Sequence, residues 1–340
     1  MSILAYIFAI LKSVIYGSTI FFTGSLTRSV DVLDILALRF LMSFAVMWLL
    51  KVSRVINVKV GIRSLIKRNE RTPYLKNLIL AALFEPVLYM MFETLGISMT
   101  SGITTAVILS LSPITSCILE WVVLKERSTW LQKVFLASGI FGVIYISVNT
   151  GTSDGENSIV GIICLVCAIV TASFFGVFSR KSSSHFTPME ITYVSCLLGT
   201  VAFNAVNVVR HIAAGDILHY FDPYLDWNNI LGFFFLAVIS TIVATGMNNY
   251  ALSKIQLSTM SAFGGISTLV TVAVDVIFNG ARLYYFHIIG FAFIIARMVG
   301  VSAISIYRDR KSKGVMESEI RKFRDNRGQK QKRKAMAHSH

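Results

Sequence analysis

About ten apolar stretches, each near the ~20 residues that cross a bilayer as a helix, are separated by short polar segments along this chain. The basic residues are sorted among those segments. The segment after the second stretch carries Lys51, Arg54, Lys59, Arg63, Lys67, Arg68 and Arg71; later ones carry Lys125 with Arg127, Arg180 with Lys181, and Lys254. The intervening connections hold only Arg28, Arg210 and Arg282, beside Asp154, Glu156, Asp216, Asp222 and Asp226. Short basic loops are retained in the cytoplasm. The pattern therefore predicts a multi-pass protein of the cytoplasmic membrane with both termini inside. Irregular backbone is costly in lipid, so each apolar stretch is expected to be a helix.

Of the 340 residues 54% are hydrophobic, in runs that are apolar on every helical face, which excludes an ordinary soluble fold. The formal net charge of +14 raises nucleic acid as a partner. Its placement in alternate loops, with no basic patch interleaved with aromatics, points to topology instead, and no nucleic acid is expected. Cys117, Cys164, Cys167 and Cys196 all fall in apolar stretches. The C-x-x-C spacing of Cys164 and Cys167 has no second pair or neighbouring His, so helix packing is expected rather than metal or redox chemistry. There is no phosphate-binding Gly-rich loop, no H-E-x-x-H and no Asp-rich metal motif. Neither an enzyme, a cofactor nor a metal is expected. The first stretch lacks a basic leader and a small-residue cleavage site and reads as a retained helix.

The expected spans are 3–25, 32–52, 75–98, 103–124, 130–148, 159–180, 188–210, 228–250, 256–278 and 283–306. Three features recur about 155 residues apart: Asp34 with Glu190, Glu120 with Asp275, and Arg127 with Arg282. Each half then holds five helices, and an odd number turns the second copy over. The expectation is an all-α integral membrane protein, ten transmembrane helices in two inverted five-helix repeats (1–150 and 151–306), with a basic cytoplasmic tail (307–340). Two such halves enclose a site near the midplane. The segment 51–74 suits either an interfacial helix, with Val58, Ile62 and Ile66 as its apolar stripe, or a solvated loop. Between Arg308 and Lys334 the tail has twelve basic residues against four acids, so anionic lipid headgroups are its expected partner. Monomer and homodimer both remain open.

An ionisable group at mid-membrane costs about 2.5–3.5 kcal/mol and should face the bundle interior with a partner. Lys12 lies near the middle of the first span and Glu85 near the middle of the third. The two are expected to meet, either as a neutralising pair or as a site where solute or a proton competes for Glu85. Glu85, Tyr89 and Glu93 are spaced four apart and share one helical face, with Pro86 marking a break. The counterpart span shows a neutral polar stripe, Thr241, Thr245, Asn248 and Asn249. Arg39 suits either an anionic substrate group or a structural partnership with Asp34 or Glu93. Arg297 lies near enough to the cytoplasmic side to snorkel. Glu120 and Asp275 fall near opposite faces, as gates or anchors. Pro113 marks either a binding-site break or a packing kink, and Gly264 with Gly265 permits close helix approach.

Leu38-Arg39-Phe40, the run Thr104-Thr105-Ala106 leading to Leu111-Ser112-Pro113, and Leu124-Lys125-Glu126-Arg127 resemble the drug/metabolite transporter superfamily, in its EamA-type ten-helix members. The resemblance spans residues 5–306 and excludes the tail. It departs in the second half, where no proline stands near Thr268 and Ala281 occupies the place matching Glu126. The resemblance implies a secondary transporter moving a small polar metabolite, an amino acid or related compound, commonly by export and by alternating access, with proton coupling open. Two other readings are an exchanger of anionic sugar phosphates or nucleotide sugars, and a non-transporting scaffold or sensor acting through the tail. The exchanger calls for several basic residues in the cavity.

Overall fold

The computed structural model describes residues 3–58, 72–109, 111–125, 129–150, 158–279, 284–286, 288–297, 299–301, 303, 304 and 307. Among them every regular element is helical: α1 (Ile3–Leu26), α2 (Val32–Val52), α3 (Tyr74–Ser98), α4 (Gly102–Leu109), α5 (Ser112–Leu124), α6 (Trp130–Thr150), α7 (Ile159–Ser182), α8 (Pro188–Ala214), α9 (Asn229–Leu252), α10 (Leu257–Ala262), α11 (Gly264–Asn279) and α12 (Ile288–Val301). Six of these, α1, α2, α3, α7, α8 and α9, are long and apolar enough to cross a bilayer. The chain is an all-α membrane protein. The expected fourth and ninth spans each come in two pieces, α4 with α5 and α10 with α11. Ile62, Ile66, the side chain of Glu120, Arg127, Arg282 and the basic tail lie outside the described residues.

The long helices expose many apolar residues on one face and bury small, polar and core-forming apolar residues on the other. On α7, Ile159, Ile163, Val166 and Val170 are exposed, whereas Gly161, Leu165, Ala168 and Thr171 are buried. The three- and four-residue spacing of each set puts it on one face. In lipid there is no hydrophobic gain from hiding apolar side chains, so helices associate through close packing and polar contacts. Gly17 shows the first of these. A Cβ there would sit 2.6 Å from the Ser267 carbonyl oxygen and 2.7 Å from Val270 Cβ, so the backbones of α1 and α11 meet.

The ends of the helices give their directions. Thr27 and Arg28 after α1 share a cavity wall with Ser98 to Gly102 after α3. The Ser158 N–H, at the start of α7, donates to the Met99 carbonyl (3.0 Å), and Ser29 donates to Asn229 at the start of α9 (3.2 Å). α1 and α3 thus run toward the face that holds Asp34, while α7 and α9 run away from it; α2 and α8 are likewise opposed. Packing is reciprocal in the same sense. α1 lies on α9 and α11, α7 lies on α3 and α5, and α2 lies on α8.

Helix starts follow local chemistry. Asp31 caps α2 by accepting from the Leu33 N–H, and Thr187 with Glu190 forms a capping box on α8, with Pro188 as its first residue. α8 ends on Gly215 at φ +76°, a left-handed turn glycine adopts without strain. At this end α2 and α8 are fastened together. The Asp34 carboxylate accepts from Asn207 Nδ2 (2.9 Å), Arg210 Nη2 (2.8 Å) and His211 Nε2 (2.8 Å), while His211 Nδ1 lies 2.9 Å from Asp216. With a carboxylate on each ring nitrogen, the imidazole satisfies both only as the doubly protonated cation.

Replacing Asp34 with Asn or His211 with Gln should each cost about 1.5–3 kcal/mol, the worth of hydrogen bonds to charged partners. The double variant should lose less than the sum, because the two share one network. Thermal unfolding of the four proteins in detergent measures this; additive losses would show that the residues act separately.

Candidate functional site

Four spans lose their regularity around one cavity. In α3 the backbone at Glu85 leaves helical geometry (φ −140°, ψ 116°), and the Tyr89 N–H reaches back five residues to the Phe84 carbonyl. Pro86 contributes no N–H to the turn. In α9 the Thr245 N–H reaches back five residues to the Ser240 carbonyl. Such widened turns free backbone groups and recur at functional positions. The fourth span is interrupted by a turn at Leu111, with Pro113 second in α5, a place where a missing N–H costs little. The ninth breaks at Phe263, between α10 and α11. Glu85, Ser240, Leu109, Ser112, Gly264 and Ser267, from the four breaks, all line one cavity of about 160 Å³.

Four charged side chains enter that cavity: Lys12, Arg39, Glu85 and Glu93, each buried. Among the described residues no ion pair within 4 Å joins any two of them. Lys12, Arg39 and Glu93 are held by neutral groups instead. Lys12 Nζ lies 5.4 Å from the centroid of the Tyr16 ring, and the Tyr16 hydroxyl is 3.1 Å from Thr245 Oγ1. Arg39 Nε donates to Thr241 Oγ1 (2.9 Å) and Nη2 to Ser240 Oγ (3.3 Å), placing the guanidinium on the widened turn of α9. Thr19 Oγ1 also donates to Ser240 (3.1 Å), and the Tyr89 hydroxyl donates to Glu93. On the far wall Thr115 and Ser116 bond to Ser173, at 2.6 and 3.3 Å. The cavity thus offers two cations, two carboxylates and a ring of hydroxyls. Among the described residues no group of three or more His, Cys, Asp or Glu is gathered as a metal would need.

Lys12 and Glu85 share the cavity without direct contact. Arg39 bonds to neither Asp34 nor Glu93. Asp34 lies five residues away on the same helix, so the two project about 140° apart around the axis, and Asp34 serves Arg210 and His211 instead. Tyr89, Glu93 and Asn248 line the cavity; Thr245 stands behind Tyr16. Asn249, one residue on, is turned away, accepting from Ser179 (2.9 Å) and donating to Thr192 (3.0 Å) to tie α9 to α7 and α8. Pro86 packs at the rear of its break, near Gly199. Gly264 lines the cavity, but Gly265 faces Ile294 and Arg297 of α12. Arg297 does not snorkel: it is 1% exposed, its stem laid against Gly139, where the missing side chain leaves room. Tyr16, Thr19, Ser112, Ser116, Ser173, Ser240 and Ser267 were not legible as site residues from hydropathy. A signal for three of them existed: Glu85 and Ser240, Glu93 and Asn248, and Ser112 and Ser267 are each 155 residues apart.

The model of the EamA-like transporter family matches residues 3–148 and again residues 159–303. The uncharacterized transporter YcxC of Bacillus subtilis (strain 168) is 31% identical over 309 residues, 91% of this chain and 95% of its own. The uncharacterized transporter YyaM of the same organism is 22% identical over 214 residues, 62% of this chain and 67% of its own. A crystal structure with 15% identity superimposes with a TM-score of 0.64 over 89% of this chain and 98% of that one, a likeness of fold. With two matched stretches spanning nearly all of the helical region, the chain belongs to the EamA-like transporter family.

Proposed function

We propose that this membrane transporter is a secondary transporter of the cytoplasmic membrane that exports a small polar metabolite, an amino acid or related compound, by alternating access with proton coupling. The observation that carries this reading is the set of four buried charges, balanced in sign, around one cavity and without a direct ion pair. A solute bearing both an ammonium and a carboxylate would meet a partner of opposite charge for each. The cavity of about 160 Å³ suits a solute of that size. A sugar phosphate or nucleotide sugar brings only negative charge, whereas the two cations here are matched by two carboxylates.

Glu85 is the coupling residue in this reading. In one state it is ionised, with Lys12 and Arg39 across the cavity; in the other it is protonated, or its charge is met by the solute's cationic group. A solute biases one conformation over another only through such differential binding. The antiparallel course of α1 against α7, α2 against α8 and α3 against α9 supports two inverted five-helix repeats rocking about the cavity. The basic loops put the Lys51 face and both termini in the cytoplasm.

The test begins with a screen of small solutes against the purified protein, scored by thermal stabilisation. Zwitterionic solutes should stabilise it, and a set of ligands confined to sugar phosphates would overturn the assignment. For a solute so found, transport by Glu85→Gln in proteoliposomes should lose its pH dependence while the protein stays folded and inserted. A wild-type pH profile in that variant would pass the coupling role to Glu93. Arg39→Lys keeps the charge but cannot span Thr241 and Ser240 with a planar fork. Its transport rate should fall about tenfold or more, as expected for the ~1.4 kcal/mol or greater loss of one charged hydrogen bond; an unchanged rate would make the fork dispensable.

A further inference from the structure

A second cavity, of about 620 Å³, lies on the Asp34 face, walled by the ends of α1, α3, α4 and α11. Its lining includes Arg28, Ser98, Thr100, Ser101 and Asp275, so it is polar. Ile20 lines both this vestibule and the central cavity. Around Ile20 is a small buried cluster, Ile97 and Ala106 with Leu109 packed against them. Ile97 faces the vestibule and Leu109 the central cavity. The two spaces are therefore divided by a layer about one side chain thick.

The opposite end of the central cavity is closed far more deeply. Leu252, Leu257 and Met260 line it, and behind them the same buried cluster continues through Ala251, Ile255 and Phe263. We propose that the Ile20–Ile97–Ala106–Leu109 layer is the gate between the central site and the Asp34 face, and that the vestibule is the antechamber through which the solute passes. An apolar constriction stops a polar solute and its water because neither finds a hydrogen-bond partner while crossing it. The layer also has a fixed side and a movable one. Thr271 Oγ1 donates to the Gly17 carbonyl (2.8 Å) where α1 and α11 touch backbone to backbone, so Ile20 is held in a two-helix wall. Ile97 on α3 and Ala106 with Leu109 on α4 form the part that withdraws. This inference rests on the transport reading for its meaning, but its geometry is tested separately.

The test places one cysteine at Ser116, which lines the central cavity, after replacing the four native cysteines with alanine. Reconstituted protein is treated on one side at a time with the impermeant cation (2-trimethylammonioethyl) methanethiosulfonate. With the layer intact, labelling from the side opposite the tail should be slow. Ile20→Ala should speed it at least tenfold from that side, and Ile20→Phe should slow it. Leu109→Ala serves as the second opening variant if Ile20→Ala does not insert. Labelling rates indifferent to all of these would overturn the gate. Acceleration from the tail side alone would keep the gate and reverse the membrane orientation. Acceleration in a protein that moves no solute would keep the gate and reject the transport reading.

Discussion

A charge or an unpaired peptide group at the centre of a bilayer has no water to turn to, and the rest of this structure follows from where that cost is met. Four spans are irregular around one cavity, and four ionisable side chains enter that same cavity. Each break would be unfavourable alone in hydrocarbon, as would each charge. Gathered around a single cavity, freed backbone groups, hydroxyls and charges become one another's surroundings. Arg39 illustrates this directly: it spends two of its donors on the hydroxyls of the widened turn in α9.

Residues 155 apart in the chain line the same cavity, but their charges differ. Glu85 on α3 answers to Ser240 on α9, and Glu93 answers to Asn248. Arg39 reaches from α2 onto the irregular turn of α9. At the irregular turn of α3 the corresponding neighbours come from α8, where Thr192, Ser195 and Cys196 lie beside Glu85 and Pro86. One break therefore carries a carboxylate among neutral neighbours, and the other carries neutral hydroxyls under a guanidinium. The two breaks thus present chemically unlike walls to the same region of the bundle.

The fold class was legible because lipid imposes a simple rule on composition: long apolar runs and alternating basic loops leave little but a helical bundle. Lys12, Glu85 and Glu93 were legible for the same reason, since a carboxylate or ammonium in such a run must face inward. What hydropathy could not reveal was partnership. Arg39 was expected to meet either an anionic substrate group or a carboxylate, Asp34 or Glu93, and it bonds instead to hydroxyls on a helix about 200 residues away. Arg297 was expected at the surface because its stem is long, but the room made for it by Gly139 depends on a residue far off in the chain. The neutral lining, Tyr16, Thr19, Ser116 and Ser173, resembles the small polar residues that any membrane helix uses for packing.

The reciprocal packing has a consequence for the halves themselves. α1 rests on α9 and α11, α7 rests on α3 and α5, and α2 is fastened to α8. Nearly every broad contact of the bundle therefore joins a helix from residues 3–148 to one from 159–303. Cut between them, each portion would expose most of its inward surface, keeping only small clusters such as the one around Ile20. The linkage at residues 151–158 therefore joins two stretches whose helix faces already require each other, and holds the second at high local concentration beside the first.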